Sequence, residues 1–117
     1  MSVGVEWIVD AEGCDPCRLQ DLDLLRLLCD AILRDLRLTA VSSPLWHPFP
    51  PPGGVTGLYL LTESHLACHT YPERGLATFN LYACGDRPAW PWEVRLRDVL
   101  RAERVRVQRV ERGEGGG

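Results

Sequence analysis

From Leu19 onward, apolar residues recur at three- and four-residue intervals. Leu22, Leu25, Leu28, Cys29, Ile32, Leu33 and Leu36 form one stripe, while Asp21, Arg26, Asp30, Arg34 and Arg37 fall largely outside it. The spacing predicts an amphipathic helix, with Asp15 as N-cap and Pro16 in the first turn. A shorter stripe of Trp92, Leu96, Val99 and Leu100 behind Pro91 predicts a second helix.

Elsewhere the period changes to two. Ala77, Phe79, Leu81 and Ala83 alternate with Thr78, Asn80 and Tyr82, predicting a strand over 76–83 with Cys84 on its more polar face. Strands are also expected over 3–9, 55–62 and 66–71, with Asp10 to Gly13 as a turn and Thr39 to Ser42 as a strand start. Val105 and Val107 alternate with Arg104 and Arg106, as in a closing strand with one wet face. Pro44, Pro48, Pro50, Pro51, Pro52 and Gly53-Gly54 read as a loop without regular structure. No repeat is visible. The order of elements predicts an α+β fold: a two-layer sandwich whose mainly antiparallel sheet carries two helices on one face. A single domain is expected over residues 1–112 and a disordered tail over 113–117.

Composition narrows the function classes. The 117 residues, 25% charged with a net charge of -3, carry no basic excess, so neither nucleic acid nor an anionic membrane is expected as a partner. The three arginines Arg104, Arg106 and Arg109 read as a solvated strand face rather than a phosphate strip. No apolar run spans a bilayer, and the first residues lack the layout of a signal peptide, so the expected compartment is the cytoplasm. Five cysteines without an export signal are expected as thiols. Small size favours assembly. All 13 basic residues are arginine. A chain without lysine cannot hold pyridoxal phosphate as a Schiff base.

The densest chemistry lies between Gly53 and Glu73. Glu63-Ser64 is followed by His65 and His69, then Thr70, Pro72 and Glu73, with Cys84-Gly85 beyond. A backbone bond can cut itself when a hydroxyl reaches the preceding carbonyl, and Ser64 supplies the hydroxyl. This run resembles the processing site of the prokaryotic S-adenosylmethionine decarboxylase proenzymes. The resemblance implies cleavage between 63 and 64, with Glu63 on the amino side and Ser64 converted to a pyruvoyl group. That group is the cofactor, an electrophile that binds the substrate amine and accepts electrons as carbon dioxide leaves. The resemblance further implies His69 as processing base, Thr56 as its support in the place of a frequent serine, and Cys84 as proton donor. It implies Phe49 stacking on adenine, Glu73 binding the ribose hydroxyls, and a homodimer whose protomers complete each other's sites. The product would be the aminopropyl donor for spermidine and other polyamines.

Other readings remain. Related pyruvoyl enzymes act on arginine or ornithine, and a non-catalytic regulatory homologue would bind a catalytic partner instead. His65 and His69 have a zinc-like spacing with Cys68 adjacent but no third ligand, so no metal is expected. Cys14-Asp15-Pro16-Cys17 is a lone C-x-x-C and is read as flanking the start of the first helix. Strand alternation places Ser64 and His69 on opposite faces, so their meeting requires a bend or a second strand.

Overall fold

The first strand runs on to Glu12, through most of the stretch expected as a turn. The computed structural model describes residues 3–84 and 87–113. In it β1 runs from Gly4 to Glu12, followed by α1 (Pro16–Leu19) and α2 (Leu22–Leu36). Next come β2 (Leu45–Pro48), β3 (Val55–Leu60), β4 (His65–Tyr71) and a one-turn 3-10 helix at Pro72–Arg74. β5 (Leu76–Ala83), α3 (Trp92–Val99) and β6 (Arg104–Arg112) complete the chain. The strands form one antiparallel sheet in the order β2-β3-β4-β5-β1-β6.

Alternation sorts the sheet into two faces. Val9, Ala11, Leu66, Cys68, Ala77, Phe79 and Leu81 are buried together with Leu25, Leu28, Cys29 and Ile32 of α2 and Trp92 and Leu96 of α3. All helical apolar stripes meet this one face, which is the two-layer α+β arrangement expected. Buried Thr70 ties the layers: its Oγ1 donates to the Leu19 carbonyl at 2.7 Å and accepts from the Val55 N–H at 2.9 Å. No helix among the described residues lies over the other face. On it Leu45 is 73%, Leu58 48% and Leu60 58% exposed, more apolar surface than a solvated sheet face ordinarily presents.

Several expectations are corrected. Asp10 and Glu12 belong to β1 because an open-face position accepts a carboxylate; they pair with Arg106 and Arg104 of β6. The first helix is two helices, since Asp15 caps α1 through the Cys17 N–H and Asp21 caps α2 through the Leu24 N–H. The proline-rich stretch contains β2, whose Pro48 is tolerated on a sheet edge where no further strand requires its missing donor. Over Thr39–Ser42 there is only an isolated bridge, Ala40 to Leu61. β6 is exposed along most of its length because it is the other edge, with Arg104 and Arg106 on the open face and the Arg109 guanidinium 5.8 Å over the Trp7 ring. The expected tail lies outside the described residues from 114 on.

Candidate active site

The β3–β4 hairpin carries the candidate bond at its tip. The ladder ends at Leu60 opposite His65, and the turn Leu61-Thr62-Glu63-Ser64 is closed by the Leu61 N–H donating to the Ser64 carbonyl at 3.0 Å. On the neighbouring side, β4 pairs with β5 so that His65 faces Tyr82. Just past the end of that ladder, the Cys84 thiol donates to Glu63 Oε2 at 2.8 Å. That carboxylate raises the Cys84 pKa above the ordinary thiol range; partial desolvation adds to the effect and the Arg87 charge opposes it. Arg87 anchors the segment after β5, donating to the Cys84 carbonyl at 3.0 Å and to Leu36, near the end of α2, at 2.9 Å. Gly85 of the expected Cys84-Gly85 pair lies outside the described residues.

A second group occupies the far end of the same open face. Thr56 faces His69 across β3–β4, and Thr56 Oγ1 lies 3.1 Å from His69 Nδ1. His47 of β2 stands opposite Thr56, and its ring meets Phe49 edge-on at 4.8 Å between centroids. Phe49 is half exposed and its N–H donates to the Gly54 carbonyl at 2.9 Å. Gly54 has to be a glycine, because a Cβ there would drive into Thr70 and Pro72. Glu73 follows Pro72 in the one-turn helix and is exposed at this same end.

The sequence-predicted residues therefore fall into two sets. Glu63, the neighbour of Ser64 in the chain, meets Cys84, and Thr56 meets His69 toward the end where Phe49 and Glu73 lie. Ser64 and His69 do not meet. Four residues lie between them, and the five steps along the chain span roughly 16 Å at ~3.3 Å per residue.

Between the two sets runs a polar chain that the sequence reading missed. His65 Nε2 lies 3.0 Å from Asn80 Oδ1, Asn80 Nδ2 donates to Glu6 Oε2 at 2.7 Å, and Arg112 donates to Glu6 Oε1. Because a carboxylate only accepts, Asn80 turns its amide NH2 to Glu6 and its oxygen to His65, so His65 Nε2 carries the proton. The Asn80 hydrogen bond, followed by that from Arg112, lowers the Glu6 pKa. Glu6, His65 and Asn80 border a groove of about 440 Å³ whose other walls are Leu58, Tyr59, Leu60 and Ala67. The signal available in sequence was the polar parity of Thr78, Asn80 and Tyr82; the β1 and β6 partners required the register. Among the described residues no cluster of three or more His, Cys, Asp or Glu could hold a metal.

Comparison with known proteins agrees with this geometry. The model of the family described as S-adenosylmethionine decarboxylase matches residues 5–113. The S-adenosylmethionine decarboxylase proenzyme of Parasynechococcus marenigrum is 39% identical over 112 residues, covering 94% of this chain and 85% of the relative. That of Picrophilus torridus is 34% identical over 117 residues, covering 97% and 86%. The crystal structure of the adenosylmethionine decarboxylase from Aquifex aeolicus superposes with a TM-score of 0.78 at 30% identity, over 97% of this chain and 92% of that one.

Proposed function

We propose that this chain, which belongs to the S-adenosylmethionine decarboxylase family, is a self-processing decarboxylase that acts on S-adenosylmethionine. It is made as a proenzyme of one domain over residues 1–112, cut between Glu63 and Ser64. Its product is the aminopropyl donor for spermidine and other polyamines. The observation that carries this reading is the hairpin tip, where the glutamate directly before Ser64 accepts a hydrogen bond from the Cys84 thiol.

The residues present fit a pyruvoyl group derived from Ser64. When formed, that group supplies the electron sink that a lysine-free chain cannot obtain from pyridoxal phosphate. The Leu61 N–H already donates to the residue 64 carbonyl, the oxygen on which charge would develop. Cys84 holds its proton beside residue 64 and serves as proton donor. The Ser64 hydroxyl is the nucleophile of the cut. His69 is the processing base, with Thr56 fixing its Nδ1 side; Phe49 and Glu73 bind the adenosine portion.

The distance between Ser64 and His69 supports a homodimer. A hydrogen bond reaches about 3 Å, far short of the span along β4. If two open faces pack about a two-fold axis, the Ser64 end of one copy lies on the His69 end of the other, giving two identical sites and covering Leu45, Leu58 and Leu60. Five free cysteines, three of them buried, support a reducing compartment such as the cytoplasm. No helix among the described residues is long and apolar enough to cross a membrane.

The test is carbon dioxide release from S-adenosylmethionine, arginine and ornithine, with Ser64→Ala as control. Release from S-adenosylmethionine alone supports the reading. Release from either basic amino acid reassigns the substrate, and no release with any of the three removes the enzyme reading.

A further inference from the structure

Glu63 precedes the bond that breaks, yet its side chain is engaged elsewhere. Its Oε2 accepts from Cys84 Sγ at 2.8 Å. The β4–β5 ladder, with Leu66 facing Leu81 and His65 facing Tyr82, ends next to both residues and brings the turn that holds Glu63 against the segment that begins with Cys84. Both sides are anchored: the turn by the Leu61 N–H to Ser64 carbonyl bond, and the Cys84 segment by Arg87, which reaches both the Cys84 and Leu36 carbonyls. A carboxylate has no proton to give, so the shared proton rests on sulfur.

We propose that Glu63 is a positioning residue for Cys84: its carboxylate keeps the thiol protonated and beside residue 64. The side chain that marks the cut thereby also guards the proton used later. The inference rests on the proposed role of Cys84 as proton donor. In that step the S–H bond breaks and a C–H bond forms at the substrate α-carbon, using the electron pair left by departing carbon dioxide. The resulting thiolate recovers a proton from water. A negative neighbour disfavours thiolate at rest, so the acid stays loaded at working pH. Glu63 from the turn and Arg87 from the segment after β5 are the charged groups that set this balance among the described residues, and the direction of the Cys84 shift shows that Glu63 dominates.

The test measures the thiol itself. In a Ser64→Ala, Cys17→Ser chain, which cannot cut itself and lacks the exposed cysteine, Cys84 is the thiol open to iodoacetamide; Cys14, Cys29 and Cys68 are buried. Alkylation is followed from pH 6 to pH 10 by mass spectrometry, with and without Glu63→Gln. The expected result is a midpoint displaced to lower pH in Glu63→Gln and alkylation at pH 8 several-fold faster. Identical profiles overturn the proposal. Should Glu63→Gln fail to fold, the Cys84 carbon shift is titrated by NMR in the parent chain, and a midpoint at the ordinary thiol value overturns it equally. Neither readout depends on decarboxylation, so loss of the substrate reading and loss of this one are told apart.

Discussion

Two inactive chains should make an active pair. Ser64→Ala removes the nucleophile and His69→Ala the proposed base; neither chain should cut itself alone. Within one chain the two positions lie roughly 16 Å apart along β4, against about 3 Å for a general base in contact with its proton. A two-fold dimer through the open faces changes the outcome. In a mixed dimer one site takes Ser64 from the His69→Ala chain and His69 from the Ser64→Ala chain, and is intact; the other site has neither group. Random assortment makes about half of the dimers mixed, with one working site of two, so co-expressed chains should recover about a quarter of the parent activity per chain. Doubly tagged dimers isolated through both tags should recover about half. Cleavage should appear only on the His69→Ala chain, read by gel and by carbon dioxide release. Uncut and inactive mixed dimers would refute the argument, and so would a lone His69→Ala chain that cuts at the parent rate.

Two further outcomes follow from particular contacts. Thr70→Val keeps the shape but strands the buried Val55 N–H and Leu19 carbonyl, so urea unfolding should lose roughly 2–4 kcal/mol, while Thr70→Ser should lose about 1; equal losses would mean that the hydroxyl does not tie the layers. The lowered pKa of Glu6 gives an acid dependence with a definite sign: its stabilisation is complete above the ordinary value of 4.5 and is lost as pH falls through the depressed folded-state value. Thermal scans should therefore show the parent more stable than Glu6→Gln at neutrality, with the gap closing only below about pH 4.5; a gap constant with pH contradicts the Arg112–Glu6–Asn80 chain.

Local pattern reached the elements whose two faces differ. The alternation of Ala77 to Ala83 marks β5 with the bounds observed, because one side meets α2 and α3 and the other meets no helix among the described residues. It failed where a polar residue has two meanings. Asp10 and Glu12 resemble a turn until β6 places Arg106 and Arg104 opposite them. Pro48 resembles a loop until β2 proves to be an edge. Two aspartates six positions apart, Asp15 and Asp21, were each a cap, and the stripe alone did not separate α1 from α2. For the site, the motif named Glu63, Ser64, His69 and Cys84, and alternation warned that Ser64 and His69 diverge. It did not say that Glu63 pairs with Cys84, nor that Arg112 and Asn80 converge from different strands on Glu6, beside His65. Those meetings depend on strand order and register, which no local window contains.

The most direct measurement is the mass of the purified, folded protein after incubation. The account predicts two fragments, one ending at Glu63 and one beginning at residue 64, the latter lighter by one ammonia than a serine-initiated fragment and reactive toward carbonyl reagents. Ser64→Ala should remain whole. An intact parent chain, or a second fragment that begins with an ordinary serine, would contradict it.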